Sequence, residues 1–364
     1  MWIHTCGHPA CCPAETPSGA VGAASPARHR HLTVDLHCHV MVPAVEALVA
    51  NRPEKAAEPG IMLRTMGEAS VAHNNAVMLP AVGPKLTRID LRLADMAAMG
   101  VDVQVLSPSP TQYYYWAEPE LAREIVRLQN EHIAALCEAY PKLVAGLGTV
   151  ALQHPQLACE QLEHAIKGLG LKGVEISTTV NGRELSDPAL RPFWAKAEEL
   201  GAVVFIHPFG TSLGERTSTH YLVNTIGQPL ETTIALSHLI FHGVLDAHPG
   251  LKIVAAHGGG YLPTYIGRSD HAFKVRPEAA TQTIRTPSEH LKRIWFDTVL
   301  YDPMALRHLV DRVGASQVVV GSDYPFDMGY YDVHGLVAAT PGLSDGERAA
   351  ILGGNAAALI GWSV

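Results

Sequence analysis

The chain has 364 residues, of which 47% are hydrophobic and 17% charged, and its formal net charge is −8. This composition is typical of a folded globular protein and excludes an intrinsically disordered chain. The acidic balance, without a clustered run of lysine and arginine, argues against a nucleic-acid partner. No apolar run approaches the roughly 18 residues that span a membrane, and no secretory signal is evident, so we expect no membrane partner and a cytoplasmic protein.

Residues 1–31 are rich in Ala, Pro, Gly, His and Cys and show no periodicity. We predict a flexible, disordered N-terminal extension here, followed by one domain over residues 32–364. Several side chains in the extension are of metal-binding types, namely His4, Cys6, His8, Cys11 and Cys12. Their spacing fits no closed zinc site, and six cysteines spread in this way are not the disulfide framework of a small secreted protein.

From residue 32 onward, short runs rich in Val, Ile and Leu alternate with longer amphipathic stretches. Near-continuous apolar strands are typical of a parallel sheet that is covered on both faces. Strands are predicted at 32–37, 101–106, 143–149, 171–176, 202–207, 252–257, 294–298 and 317–322. Helical patterns follow, for example at 119–138, 155–167, 189–199, 228–247, 302–313 and 345–359. Eight strand–helix units with no strand left over predict an α/β fold, a closed (β/α)8 TIM barrel.

Three long loop insertions leave the carboxyl ends of predicted strands, at residues 40–86, 107–118 and 208–227. Barrels of this kind place their active sites at that face, so we expect these insertions to shape a substrate pocket. The second insertion contains an aromatic run from Tyr113 to Trp116. A pocket wall and a cap on the core are equally open for this run.

Four predicted strands end in residues that can bind a metal ion or act as a base. The first strand ends in His37 and His39, the fifth in His207, the sixth in His257 and the eighth leads to Asp323. Alternate residues of an extended chain point the same way, so His37 and His39 face the barrel interior together. Three imidazoles and a carboxylate suit Zn²⁺ and tolerate other divalent ions. We therefore predict one divalent metal ion bound by the set His37, His39, His207 and Asp323.

His257 stands in the segment Ala-His-Gly-Gly-Gly, where glycines allow a tight turn. We interpret His257 as the acid or base next to the metal. A fourth ligand and a structural residue are its alternatives. Asp35 is expected to point the same way as His37, either to orient an imidazole or as a buried structural acid. No Gly-X-Gly-X-X-Gly motif follows a predicted strand, and we expect neither dinucleotide chemistry nor a serine nucleophile.

The motifs of the chain resemble the decarboxylase-like branch of the amidohydrolase superfamily over residues 32–360. The resemblance is carried by VDLHCH (34–39), GVDVQVLSPSP (100–110), FIHP (205–208), LKIVAAHGGGYLP (251–263), GR (267–268) and GSDYPF (321–326). It implies the same four metal ligands and a catalytic His257. The fourth predicted strand ends in Glu175-Ile176-Ser177-Thr178. It lacks the lysine that bridges two metals in larger amidohydrolases, so the resemblance implies a single ion.

The same resemblance suggests which residues bind substrate. One decarboxylase of the branch grips its substrate's carboxylate with an arginine in the loop after the first strand, and Val77 takes that place here. A second arginine of the branch, which reaches across a dimer, corresponds to Arg268, so a homodimer is implied. An ordinary surface ion pair is the alternative for Arg268. Phe326, Tyr113 and Trp116 are expected to contact a flat aromatic or conjugated acid.

These interpretations predict a metal-dependent non-oxidative decarboxylase that acts on an aromatic or unsaturated carboxylic acid. We expect Zn²⁺ as the ion, with Mn²⁺ as the alternative, no organic cofactor, and His257 and Asp323 as catalytic residues. A metal-dependent hydrolase of an amide, a lactone or a carbon–carbon bond is the runner-up, and the branch also contains hydratases. A barrel that only binds a metal or a partner protein is a third hypothesis. Both enzyme hypotheses use the same five residues, so the sequence does not decide between the two activities. These residues are His37, His39, His207, His257 and Asp323.

Overall fold

A computed structural model describes residues 31–362 of the chain, and all eight predicted barrel strands lie within them. The strands are β1 Val34–Val40, β2 Val103–Pro108, β3 Val144–Gly146, β4 Gly173–Ile176, β5 Val203–Ile206, β6 Lys252–Ala255, β7 Ile294–Asp297 and β8 Val318–Val319. The predicted flexible extension, with its cysteines and histidines, lies outside the described residues except for His31. That prediction, and the domain boundary at residue 32, stay predictions.

The eight barrel strands are arranged as two parallel sheets that join into a ring, and a separate antiparallel pair is formed by Thr179–Val180 and Arg183–Glu184. β1, β2 and β3 form one sheet, and β4 to β8 form the other in sequential order. A bridge between Gly148 and Val174 connects the two sheets on one side. On the other side Cys38 pairs with Tyr324, and the amide of Leu36 donates to the carbonyl oxygen of Val320 over 2.9 Å. This order is that of the predicted TIM barrel.

Helices follow the strands around the ring, and many have a proline in the first turn, where the missing N–H of proline costs no hydrogen bond. They are α1 Pro43–Val49, α2 Pro53–His73, α3 Leu79–Thr87, α4 Ile89–Met99, α5 Pro119–Ala139, α6 Pro155–Glu163, α7 Arg191–Leu200, α8 Gln228–Phe241, α9 Val244–Ala247, α10 Leu262–Val275, α11 Pro287–Leu291, α12 Pro303–Val313, α13 Val333–Ala339, α14 Asp345–Ala349 and α15 Asn355–Ile360. The predicted helix 228–247 is divided at Gly243, which has a φ of 68°. The predicted helix 345–359 is interrupted by a π-helical turn at Ala350–Gly354. Among the described residues, no helix is long and apolar enough to cross a membrane.

The insertion predicted at 40–86 consists mainly of the helices α1, α2 and α3. Helix α2 has no buried residue, and it kinks at Gly67, whose φ is 77°. The other predicted insertions are less regular, although a π-helical turn at Val223–Gly227 leads the third one into α8. The first insertion is therefore a helical layer outside the barrel rather than an irregular loop.

Apolar side chains from the strands fill the inside of the ring. Val34 and Leu36 of β1 pack there with residues such as Val105, Leu147 and Phe205 from neighbouring strands, all of them buried. A second apolar cluster lies between the strands and the helices outside them. The barrel interior is thus a packed core that supports the polar residues at the strand ends.

Candidate metal and catalytic site

A register shift in β1 directs the two histidines of this strand into the barrel. Asp35 pairs with Gln104 of β2, whereas Cys38 pairs with Leu106, so the ladder between these positions contains a bulge. Leu36 packs on the inner cluster while Cys38 packs on an outer one. Bulges next to active sites commonly re-aim side chains. His37 therefore turns inward after Leu36, and Asp35 does not share its direction, contrary to the sequence prediction.

The predicted ligands and the predicted catalytic histidine meet at the carboxyl ends of the strands. The Nε2 atoms of His37 and His39 are 3.1 Å apart, and each is 3.3 Å from Oδ1 of Asp323. The ring of His207 lies 4.9 Å from the rings of both, measured between centroids. Nε2 of His257 is 3.5 Å from the other carboxylate oxygen, Oδ2 of Asp323. Residues from four separate strand ends thus surround one point.

Several polar atoms at this point are buried without a hydrogen-bond partner in the described part of the chain. Both ring nitrogens of His207, Nδ1 of His257 and Oδ1 of Asp323 are in this position. Burying a polar atom without a partner costs free energy, so native proteins rarely leave several together. These atoms are also the types that bind divalent ions. The residues present therefore fit a metal ion.

The electrostatics of the histidines agree with this fit. Burial alone would lower the pKa of His37, but the charge of Asp323 and the hydrogen bond with Asp297 raise it to about 10. For His207, burial and the charges of His37 and His39 hold the pKa well below its ordinary value of 6.5. Because imidazole binds metal through a deprotonated nitrogen, an ion would displace the proton that His37 otherwise holds. A proton therefore competes less with an ion at His207 than at His37.

Two ligand sets can be drawn from these five residues. Ligand atoms of His37, His207, His257 and Asp323 all lie within 4.8 Å of one another. The set predicted from the sequence has His39 in place of His257. We favour His39, because His37 and His39 both approach Oδ1 of Asp323 while His257 stands at Oδ2. In that set His257 would stand beside the ion rather than bind it.

The turn that carries His257 needs its glycines. His257 itself has a φ of 54°, and Gly258, Gly259 and Gly260 follow with φ values of 60°, 76° and 64°. A side chain at Gly259 would lie 2.6 Å from the ring of Phe296, so this position also lacks room. Non-glycine residues in the left-handed region are uncommon and concentrate at functional sites. The structure thus agrees with the tight turn expected from the sequence.

Two buried carboxylates, whose role the sequence did not predict, stand behind His37 and His39. Oδ2 of Asp297, at the end of β7, is 2.6 Å from Nδ1 of His37. Oε2 of Glu175, in β4, is 3.4 Å from Nδ1 of His39. Asp35 instead accepts hydrogen bonds from the backbone amides of His37 and Ser322, so it is the structural acid of the two alternatives. An acid within an apolar strand is a readable signal, since a buried charge needs a partner.

The predicted substrate residues lie in different surroundings. The ring of Phe326 is 5.6 Å from that of His39, at the site. The hydroxyl of Tyr113 donates to Oε1 of Glu175 over 2.6 Å, which places Tyr113 behind the ligands. Trp116 packs on Tyr114 in an apolar cluster, an arrangement that favours a role in packing.

Two further positions that the resemblance links to substrate binding lie at the surface. Arg268 is exposed on α10, and within residues 31–362 it makes no hydrogen bond or ion pair. Val77, at the position of the missing arginine, is 54% exposed. In the described part of the chain, neither residue forms a hydrogen bond or an ion pair with the five convergent side chains.

A serine motif after β5 does not form a nucleophile. Residues 210–214 read Gly-Thr-Ser-Leu-Gly, which has the Gly-X-Ser-X-Gly spacing. The amide and hydroxyl of Ser212 both donate over 2.6 Å to Oε1 of Glu231, and that carboxylate belongs to α8. A nucleophilic serine instead needs a histidine base and a sharp strand–turn–helix elbow. The spacing alone is therefore not functional here.

Comparison with known proteins places this site in a family. The amidohydrolase family matches residues 34–362, which is most of the chain. The chain belongs to the amidohydrolase family. The resemblance stated from the strand-end motifs is thereby confirmed.

Similar amidohydrolases are named as decarboxylases. A 2-amino-3-carboxymuconate-6-semialdehyde decarboxylase from Dictyostelium discoideum is 37% identical over 273 residues, 75% of this chain and 76% of the relative. A solved 5-carboxyvanillate decarboxylase from Sphingomonas paucimobilis has a TM-score of 0.79 at 26% identity, covering 91% of this chain and 99% of that one. A 5-carboxyvanillate decarboxylase from Novosphingobium aromaticivorans, solved with manganese, has a TM-score of 0.80 at 21% identity and coverages of 91% and 96%. These likenesses confirm the predicted barrel and the predicted class of enzyme.

Proposed function

We propose that this amidohydrolase is a metal-dependent non-oxidative decarboxylase of an aromatic or unsaturated carboxylic acid. The observation that carries the proposal is the convergence of His37, His39, His207 and Asp323, with unpartnered buried atoms, beside His257. The names of the relatives support decarboxylation over hydrolysis. No specific contact of the site favours an amide or a lactone as substrate.

In this proposal His37, His39, His207 and Asp323 hold one divalent ion. When bound, such an ion supplies positive charge that orients an acidic substrate and stabilises negative charge in the transition state. We propose Zn²⁺, which three imidazoles and a carboxylate suit, with Mn²⁺ as the alternative. The manganese in a solved neighbour supports the alternative. No organic cofactor is required, because the substrate itself can accept the proton.

The chain's own residues account for the proton that decarboxylation needs. The carbon–carbon bond to the carboxylate breaks, CO₂ leaves, and a proton takes its place on the same carbon. His257 is the proposed donor of that proton, since its side chain is at the site and only partly buried. Asp323 is the proposed second catalytic residue, because its Oδ2 lies 3.5 Å from Nε2 of His257 and can align the imidazole.

The substrate side of the site is proposed from its aromatic residues and from Arg268. Phe326 stands over His39 and offers a ring face to a flat acid. Arg268 is exposed and unpaired within the described residues, so it is free to meet a carboxylate in a partner subunit of a homodimer. Tyr113 acts in this proposal through Glu175 rather than by direct contact. Assembly and the cytoplasmic location stay predictions.

The deciding experiment loads the purified chain with Zn²⁺ or Mn²⁺ and screens aromatic and conjugated carboxylic acids for CO₂ release. Run in D₂O, the reaction should leave deuterium on the carbon that carried the carboxylate. Amides and lactones are assayed in parallel for hydrolysis. Hydrolysis without any loss of carboxylate would overturn the proposal, and the metal content of the chain as purified decides between the two ions.

A further inference from the structure

Asp297 is a carboxylate near the site that faces four hydrogen-bonding groups. It ends β7 and is completely buried. Its Oδ2 lies 2.6 Å from Nδ1 of His37 and accepts from the amide of His257 over 2.9 Å. Its Oδ1 accepts from the amides of Gly258 and Val299 over 2.9 and 3.1 Å. One carboxylate therefore contacts both a proposed metal ligand and the turn that carries the proposed acid.

The contact with His37 fixes which ring nitrogen can bind an ion. With Asp297 facing Nδ1, that nitrogen carries the proton, and Nε2 presents its lone pair towards Asp323 and His39. A carboxylate that accepts from a metal-binding imidazole sets its tautomer and orientation and increases its basicity. His207 has no equivalent partner among the described residues.

The contacts with the turn hold His257 in an unusual backbone conformation. His257 has a φ of 54°, which an L-residue with a side chain adopts at a cost in free energy. The amides of His257 and Gly258 both donate to Asp297, one to each oxygen. The imidazole itself has no hydrogen-bond partner at Nδ1 within residues 31–362. The backbone hydrogen bonds thus help to direct this side chain towards Asp323.

The packing around Asp297 leaves little room for adjustment. A methyl group at Gly321 would lie 2.7 Å from Cβ of His37 and 2.8 Å from Cβ of Asp297. The bare backbone of Gly321 is therefore pressed against both residues, and the pair is held at a fixed separation. A change at Asp297 would be transmitted to His37 rather than absorbed.

We propose that Asp297 is a positioning residue that sets the geometry of His37 and of the His257 turn together. The inference rests on the proposed function for the roles of those two histidines. Only a carboxylate suits the position, because all four groups facing it are donors and each oxygen must accept. An asparagine has only one oxygen that can accept. Its NH₂ group would therefore face donors in either orientation, namely those of His37 and His257 or those of Gly258 and Val299.

The test compares Asp297→Asn with wild type and with a matched control, Asp246→Asn. Asp246 is a partly buried acid that also accepts from a backbone amide, that of Ile284, and it lies 3.5 Å from a histidine, His290, away from the site. We expect Asp297→Asn to bind Mn²⁺ or Zn²⁺ roughly 10- to 100-fold more weakly, the usual effect of removing a carboxylate that is hydrogen-bonded to a metal-binding histidine. Competition with a chromogenic chelator measures this affinity. Its kcat at saturating metal should stay reduced by about tenfold or more, since His257 is also misplaced. The control should melt at a lower temperature but match wild type in both readouts.

Each outcome decides a stated part of the inference. If Asp297→Asn matches the control in metal affinity and in kcat, the inference is wrong. If affinity falls but saturating metal restores kcat, the link to His257 is wrong. If wild type itself binds no divalent ion, the proposed function fails, and metal-free crystal structures of wild type and the variant still test whether His37 and the turn shift. If Asp297→Asn does not fold, Asp297→Glu, which keeps two acceptor oxygens on a longer side chain, is measured instead.

Discussion

The convergent strand ends and helix α2 of the first insertion differ in how deeply their side chains are buried. His37, His39 and His207 are almost fully buried, and two of them have a carboxylate behind the ring. Residues 53–73 of α2 include no buried side chain. A cavity of about 690 Å³ is lined by residues of α2 and of the segment around His220, and none of the five site residues lines it.

This difference indicates which region of the molecule can be substituted without loss of metal binding or catalysis. The proposed ligand positions are fixed by backbone pairing and by a packed core beneath them, so we expect a small displacement to have a large effect. Helix α2 is held by fewer polar contacts, such as the hydroxyl of Thr217 on the carbonyl of Thr65 and a 3.9 Å ion pair between His73 and Asp327. Its changes should alter stability while leaving the metal site intact.

The broadest expected effect is that of His207→Ala, which should remove the ion as well as the activity. Among the described residues, His207 is the proposed ligand whose imidazole has no hydrogen-bonded partner, so we expect its removal to cost the ion together with activity. The rate should fall by about 10³-fold. A bound ion contributes several kcal/mol of charge stabilisation to the transition state, and each ~1.36 kcal/mol corresponds to a tenfold change in rate. Metal content measured by elemental analysis checks it. A variant that retains one equivalent of metal would show that His207 is not a ligand.

His257→Asn should separate proton transfer from metal binding. We expect kcat to fall by about 10²–10⁴-fold, the range for loss of a general acid, while the metal content stays at the wild-type level. Elemental analysis and initial rates on the same sample provide the two measurements. Loss of the ion in this variant would favour the alternative set, in which His257 replaces His39 as a ligand.

Gly67→Ala probes the outer layer. Gly67 has a φ of 77°, and an added methyl group would collide with the backbone carbonyl of Ser218. We expect a loss of about 1–3 kcal/mol in the free energy of unfolding, with metal affinity unchanged. Urea unfolding and chelator competition measure the two quantities.

The matched control for that substitution is in the same helix. Gly60→Ala meets nothing closer than Arg64 at 3.8 Å, and its backbone is helical, so it should stabilise the protein by roughly 0.5–1 kcal/mol. If Gly67→Ala weakened metal binding as well, α2 and the strand ends would not be independent.

The same contrast explains how much could be predicted from the sequence. Strand ends of a parallel barrel gather at one face, so His207, His257 and Asp323 could be placed together without coordinates. The bulge in β1 could not be predicted from the sequence. Strict alternation places Asp35 and His37 on the same side of the strand, whereas the observed register places them on opposite sides. Long-range partners were also out of reach. Nothing local relates Asp297 to His37, 260 positions away, except that a buried acid must be neutralised.

The outer layer was predicted least well for a related reason. Helices α1, α2 and α3 cover a region described from the sequence only as an insertion, since an exposed helix has little apolar periodicity to read. The aromatic run was left open between pocket and core. Its members divide, because Tyr113 joins the network behind the ligands while Trp116 packs beside Tyr114.

The smallest expected effect concerns a polar link of the outer layer, Glu46 of α1. Its carboxylate accepts from Gln112 over 2.8 Å and from the hydroxyl of Tyr114, and it lies 3.1 Å from Nζ of Lys55. Burial would raise the pKa of Glu46, but these partners lower it below the ordinary 4.5. A group whose pKa is depressed on folding stabilises the protein above its unfolded pKa and loses that contribution as the pH falls through the folded value.

Glu46→Gln should therefore lower the free energy of unfolding by about 1 kcal/mol or less at pH 7, as for other half-exposed ion pairs. The difference from wild type should shrink as the pH falls below 4.5, because the wild-type carboxylate then takes up a proton. Added salt should shrink it too, by screening Lys55. Urea unfolding between pH 3 and 7 measures this, with metal content as the parallel readout. A difference that grows at low pH, or any change in metal content, would contradict the separation between the outer layer and the strand ends.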